Sequence, residues 1–423
     1  MEVSAFDRAG PAFGSAPPSL GAPAVPTPDR DFFAVLPFGI GLLVASLALT
    51  AVAIWWLRRR PQDQTRLTVK ARRVWRAATA VAAGLTLILG LAALVNWYVG
   101  WLPNFEAVRI RLGLDDPSQR RPELPTAAPA LDQLGARPLA ADDARLARAQ
   151  PGGGAGPVKQ GAASSYELPA PDYLNLATKT VWVYTPPGYD PSGQVAYPVV
   201  YLFHGSPGSG ADWIAAGAPQ VLDQMIVAGE LAPVIAVAPD LGARGAADSG
   251  CLNSTKPGGS QVETFLYEVV RPWVVNHFPV SSERSASAVA GMSMGGYCAV
   301  DQGIRHSDVF STVLAIMPYG GPGEAGEAMK SSPAEIDAVT PLKYLATASK
   351  LPADPIAVWF AVPGAEETKQ VGNETAAMAA ALRERGQSTT VYVAPGQDHT
   401  WKMAIAAFPL GLRYWQEQLA AIP

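Results

Sequence analysis

Residues 286–299 read ASAVAGMSMGGYCA. The apolar run from Ala286 to Ala290 reads as a short strand, Gly291-Met292-Ser293-Met294-Gly295 follows it, and Tyr297 to Ile304 continues as a helix. A G-x-S-x-G set between a strand and a helix is the context of a nucleophile elbow, in which the serine occupies a sharp, strained turn with its hydroxyl exposed. The flanking glycines let strand and helix approach where a side chain would hold them apart. Ser293 is therefore the candidate nucleophile, weighed against an ordinary tight turn in a glycine-rich chain.

Working outward, strands and helices alternate. Val181–Thr185 reads as a strand ended by Pro186-Pro187-Gly188, and Pro198–Phe203 (PVVYLF) is a continuous apolar run, as a strand buried on both faces requires. Further strands are expected at Val234–Ala238, Thr312–Met317, Ile356–Val362 and Thr389–Ala394. Helical spacing covers Val262–Phe278, with a kink expected at Pro272, and also Asn373–Arg385 and Trp401–Leu419. This alternation predicts an α/β fold with a mostly parallel sheet, whose chemistry gathers at the carboxyl ends of the strands.

A serine hydroxyl needs a base to take its proton. The chain has four histidines, so elimination is practical. His204 ends the PVVYLF strand, His277 ends the helix before the elbow strand, and His306 follows the helix after Ser293. Only His399 follows the last strand, in Gly396-Gln397-Asp398-His399-Thr400, and it is the candidate base. The chain order nucleophile, acid, histidine is that of α/β-hydrolases. The acid is expected after the penultimate strand, where Gly364-Ala365-Glu366-Glu367 offers two carboxylates. Glu367 is preferred, as the third residue after the strand-end glycine, with Glu366 as the alternative. An oxyanion hole needs two N–H groups aimed at the developing charge. Met294 supplies one by position. Ser206, in His204-Gly205-Ser206-Pro207-Gly208, supplies the other, because Pro207 has no N–H. Asp212 and Trp213, next along, are expected to line the pocket.

The apolar excess of the chain lies elsewhere. Of its 423 residues 49% are apolar and only 16% charged, with a mean hydropathy of +0.12, which excludes a disordered polyelectrolyte. Net charge is −4, so a nucleic-acid-binding face is not expected. Residues 32–57 carry no charge, nor do residues 77–105, with the apolar centre at 77–95. Each exceeds the ~20 residues that cross a ~30 Å hydrocarbon core. Two transmembrane helices are expected, at 32–57 and 77–101. The start, MEVSAFDRAG, lacks the basic region of a cleaved signal peptide. Between the spans, residues 58–76 hold eight Lys and Arg against Asp63 alone, and such loops stay cytoplasmic. Both termini are then expected outside, with Trp97, Tyr98 and Trp101 in an outer aromatic belt. Residues 1–31 read as a disordered tail, residues 102–156 as a Pro/Ala/Gly-rich spacer, and residues 157–423 as the catalytic domain.

Five motifs in order, VWVYTPPGYD (181–190), YPVVYLFHG (197–205), PVIAVAPD (233–240), AGMSMGGYCA (290–299) and GQDHTW (396–401), resemble the esterase family of α/β-hydrolases. That family takes in esterase D and S-formylglutathione hydrolases, feruloyl esterases and antigen-85-type mycolyltransferases. The resemblance covers roughly residues 160–420. It implies an α/β-hydrolase fold and a Ser–acid–His esterase or acyltransferase working through an acyl-enzyme. The acid position carries a Glu-Glu pair where most esterases of this branch carry Asp. Gly296-Tyr297 after the elbow is closer to general esterases than to mycolyltransferases.

A membrane-anchored, extracytoplasmic serine esterase is the reading these features favour. Transfer of the acyl group to a sugar or lipid hydroxyl is the alternative, and a non-catalytic envelope interaction module the lesser one. The partners implied are an acyl ester, including a cell-envelope lipid or glycolipid, and the bilayer. No cofactor and no metal is expected, since the histidines are scattered and no cysteine pair has zinc spacing. Outside the cytoplasm oxidation is permitted, and a disulfide between the only two cysteines, Cys251 and Cys298, is expected.

Overall fold

A computed structural model of the chain describes residues 31–58, 66–112, 114, 145–146, 160–192, 194–244, 248–347, 352–365 and 369–420. The expected N-terminal tail, apart from Asp31, lies outside these residues. So do Glu366 and Glu367, residues 59–65 of the basic loop, and most of the expected spacer.

An eight-stranded sheet carries the domain. Its strands are β1 (Ala162–Leu168), β2 (Lys179–Thr185), β3 (Val199–Phe203), β4 (Ile235–Pro239), β5 (Ser287–Met292), β6 (Thr312–Ile316), β7 (Ala357–Pro363) and β8 (Ser388–Ala394). They lie in the order β1-β2-β4-β3-β5-β6-β7-β8. Only β2 runs against the others: it pairs antiparallel with both neighbours, and every remaining pair is parallel. This is an α/β-hydrolase fold. The elbow strand β5 is central, flanked by β3 and β6.

Helices cover both faces, which is why β3 to β7 are buried along their whole length. One face holds α6 (Val262–Phe265), α7 (Arg271–His277) and α8 (Met294–Arg305), with Phe265, Tyr297 and Phe310 in its core. The other holds α4 (Ala211–Ala216), α5 (Ala218–Val227) and the long α13 (Trp401–Ala420), packed through Trp213, Phe408 and Trp415. Full burial of side chains this large is worth about 1.5–3 kcal/mol each. Four further helices, α9 (Glu324–Met329), α10 (Pro333–Asp337), α11 (Pro341–Thr347) and α12 (Lys369–Glu384), complete the domain. Ahead of Pro272, where a kink is expected, the helix passes through a π turn at Leu266–Val270. There the Arg271 N–H reaches back to the Leu266 carbonyl, which widens the helix ahead of the proline ring.

Two more helices precede the domain, α1 (Leu36–Arg58) and α2 (Arg66–Val99). Both are long and apolar enough to cross a membrane. They pack antiparallel: Ser46 Oγ donates to the Ala83 carbonyl at 2.8 Å, and Gly39 and Gly90 lie against Leu94 and Leu43. The second helix begins at Arg66, so part of the stretch read as a loop is helical. Residues 105–111, within the stretch read as a spacer, form a helix, α3 (Phe105–Arg111), that lies against α4. Asn104 caps it, its Oδ1 accepting the Ala107 N–H at 2.9 Å.

Candidate active site

The elbow forms because its glycines are flattened between backbones. A Cβ on Gly291 would stand 1.9 Å from the Gly295 carbonyl oxygen, and one on Gly295 would stand 2.1 Å from the Phe203 carbonyl oxygen. Neither position admits a side chain. Ser293 between them is held at φ 58°, ψ −122°, a conformation that costs a non-glycine residue about 1–3 kcal/mol. Its N–H donates to the Ile316 carbonyl at 2.9 Å, and its carbonyl accepts the Tyr297 N–H at 3.1 Å. The neighbouring strand and the first turn of α8 therefore hold the strained turn in place.

Ser293, Met294 and Ser206 line one cavity of about 820 Å³ at the carboxyl edge of the sheet, with Tyr319 and Glu374 among its other walls. Met294 is the first residue of α8, so its N–H lies outside the helical ladder. Gly205 lies against Ser293: an added Cβ would reach 3.3 Å from Ser293 Cβ and 2.7 Å from Met292 Sδ. That close approach carries Ser206 to the cavity. A second cavity of about 400 Å³ shares Ser206, Pro207, Asp248 and Met294 with the first and is walled by Lys179, Asp240 and both cysteines.

The histidines separate by their partners. His204 Nε2 accepts the Leu241 N–H at 3.0 Å, so Nδ1 carries the proton and donates to the Gly205 carbonyl at 2.8 Å. His277 Nδ1 bonds the Trp273 carbonyl, and His306 Nε2 bonds Glu263 at 2.8 Å while its ring stacks on Tyr267. His399 Nε2 is buried and has no hydrogen-bond partner among the described residues. Burial holds the His399 imidazole below its ordinary pKa, which favours the neutral, proton-accepting form. No hydrogen bond joins Ser293 Oγ to His399; such contacts commonly tighten when substrate binds.

Tyr319 was not singled out by the sequence. Its ring stacks on His399 at 5.5 Å between centroids and 19° between planes, and it also lines the cavity that holds Ser293. Its position three residues beyond β6, at the carboxyl edge, was the available signal. The loops that follow β7 and β8 are joined: Gly364 N–H donates to the Ala394 carbonyl at 2.9 Å and Ala365 N–H to that of Gln397 at 3.2 Å. The residue just ahead of the Glu366-Glu367 pair is thus tied to the residue two before His399.

Asp212 and Trp213 do not line either cavity, contrary to expectation. The short helix α4 turns both inward. Trp213 Nε1 donates to the Phe203 carbonyl at 2.9 Å and its ring meets Trp401, while Asp212 is buried against Arg111. Cys251 and Cys298 are joined as a disulfide that links the loop after β4 to α8. Among the described residues no three His, Cys, Asp or Glu side chains converge to hold a metal ion.

The family described as "Putative esterase" matches residues 177–422. Esterase Rv1288 of Mycobacterium tuberculosis is 34% identical over 140 residues, which is 33% of this chain and 28% of that relative's length. Among solved structures, a ferulic acid esterase superposes with a TM-score of 0.50 at 23% identity, covering 61% of this chain and 99% of its own. An S-formylglutathione hydrolase from Agrobacterium tumefaciens gives 0.52 at 17% identity, covering 62% and 98%. At these identities the structural likeness is one of fold.

Proposed function

The chain belongs to the esterase family of α/β-hydrolases, and from that premise we propose that it is a membrane-anchored serine esterase that cleaves carboxylic esters through an acyl-enzyme. The observation that carries the reading is Ser293, strained at φ 58° and opening on a cavity shared with Ser206 and Met294. Ser293 Oγ attacks the ester carbonyl while His399 Nε2 takes its proton. The N–H groups of Ser206 and Met294 hold the oxyanion. The tetrahedral intermediate collapses, the alkoxide leaves with the proton from His399, and the acyl group remains on Ser293. Water, deprotonated by His399, then releases the acid and regenerates the hydroxyl. Glu367 or Glu366 orients the imidazole and balances its charge. Replacing Ser293 by Ala should lower turnover of a p-nitrophenyl ester by about 10⁴-fold or more, and a variant with near-normal turnover would refute the reading.

Two spans, at 32–57 and 77–101, anchor the domain of residues 157–423, with the tail 1–31 and that domain outside and the basic loop 58–76 within. The charge of that loop and the Cys251–Cys298 disulfide support this orientation. The second cavity, walled by Lys179 and Asp240 and meeting the first at Ser206 and Met294, favours one further reading. A sugar or lipid hydroxyl seated there would replace water and receive the acyl group. Product analysis with a disaccharide present separates the two: acylated sugar means transfer, free acid alone means hydrolysis.

A further inference from the structure

The membrane hairpin does not end at its second helix. Asn96 and Leu102 exchange two hydrogen bonds at 2.8 Å, which fold the chain back beyond Val99 and aim α3 at the catalytic domain. Two contacts follow, one under each half of the proposed machinery. Arg111 Nη1 lies 2.7 Å from Asp212 Oδ1, and its guanidinium is backed by the Trp101 ring at 5.1 Å. Tyr98 Oη donates to Asp398 Oδ2 at 2.5 Å, one residue before His399. Lys402, three residues beyond His399, lies over the Trp97 ring and packs against Gly100.

Asp212 is 1% exposed and sits directly under the oxyanion loop. Its Oδ2 accepts the Ser209 N–H at 3.3 Å and stands 2.4 Å from where a Cβ of Gly208 would lie. The Arg111 contact is a charge pair rather than an aligned hydrogen bond, since Asp212 Oδ1 has no bonded partner. A buried carboxylate beside a site that must develop an oxyanion opposes the reaction unless a cation cancels it. Among the described residues, the cation that meets Asp212 comes from the anchor, not from the catalytic domain.

We propose that Arg111 and Tyr98, on the anchor, are positioning residues of the active site: Arg111 cancels the charge of Asp212 beneath the oxyanion loop, and Tyr98 holds Asp398 and with it the His399 loop. The inference rests on the esterase reading. It makes the hairpin part of the catalytic unit rather than a tether.

The test uses the full chain in detergent, with kcat expressed per active site titrated by a fluorophosphonate. Arg111→Gln should lower kcat about tenfold or more with KM within about twofold, because the charge acts on the transition state. Arg111→Lys should keep most of the rate. Adding Asp212→Asn to Arg111→Gln should bring kcat back to within about threefold of wild type, since both members of the charge pair are then gone. Tyr98→Phe should lower kcat by about three- to fivefold, the worth of one hydrogen bond. A wild-type kcat per active site in Arg111→Gln, with only the titratable fraction reduced, would show a merely structural role and overturn the inference. So would a loss that Asp212→Asn does not restore, or an unchanged Tyr98→Phe. A wild-type chain with no turnover and no labelling would remove the esterase reading and this inference together. An active wild type with an indifferent Arg111→Gln removes this inference alone.

Discussion

His204 Nε2 accepts the backbone N–H of Leu241 at 3.0 Å. With Nδ1 donating to the Gly205 carbonyl, the imidazole bridges the loop after β3 to the loop after β4 and fixes the backbone next to Ser206, the proposed oxyanion donor. A histidine so occupied is a scaffold, not a base. Replacing His204 by Ala should lower kcat by about tenfold through a loosened oxyanion loop, whereas His399→Ala should cost about 10⁴-fold. Parallel kinetics of the two variants check the division of labour, and equal losses would contradict it.

The elbow glycines give a prediction about stability. Gly291→Ala drives a Cβ into the Gly295 carbonyl, and the domain should fail to fold or melt far lower. Gly372, inside α12, has nothing within 4 Å of the same added atom. Gly372→Ala should raise helix stability by about 0.5–1 kcal/mol. Thermal unfolding of the pair tests whether steric contact, rather than glycine content, governs the elbow.

Much of this architecture is legible in the sequence. The central strands β3 to β7 are short apolar runs without alternation, which marks burial on both faces, and the elbow is a local signal carried by five residues. Strand β1 was missed. Its sequence, AASSYEL, is polar and small, and it is a strand because it pairs with β2 along its length at the sheet edge. The candidate base followed from chain order and a low histidine count. Asp212 and Trp213 were misread because one turn of helix rotates them into the core, and proximity in sequence to the oxyanion loop carries no information about that rotation. The Tyr98–Asp398 contact spans 300 residues, and no local pattern could announce it.

The rate should depend on acidity in a specific direction. Burial depresses the His399 pKa, so the neutral base persists below the ordinary histidine range. The acid limb of the kcat/KM profile should be centred below the ordinary histidine value of about 6.5. An acid limb centred above that value would show that burial does not set the base.

A second acid-range effect concerns stability. Burial opposes ionisation of Glu263, but hydrogen bonds from His306 and Arg305 outweigh it and hold the carboxyl at about 2. The folded state therefore favours the ionised form. That contribution is present above the unfolded carboxylate value of 4.5 and is lost as pH falls toward 2. Glu263→Gln should flatten the fall in unfolding free energy across this window, measured by denaturant titration at several pH values.

The disulfide is tested by counting thiols. Denatured, non-reduced protein should titrate no free thiol, and reduced protein two. A bridge closing 47 residues should contribute about 2–4 kcal/mol, so Cys298→Ser should lower the unfolding midpoint. Two thiols without reduction would contradict the pairing and weaken the case for an oxidising compartment.

The central claim is that Ser293 is an activated nucleophile. Mass spectrometry after treatment of the full chain with a fluorophosphonate measures it directly. One adduct is expected, on the peptide containing Ser293, absent from Ser293→Ala and strongly slowed in His399→Ala. An unlabelled Ser293 peptide, or an adduct on another serine that survives Ser293→Ala, would contradict it.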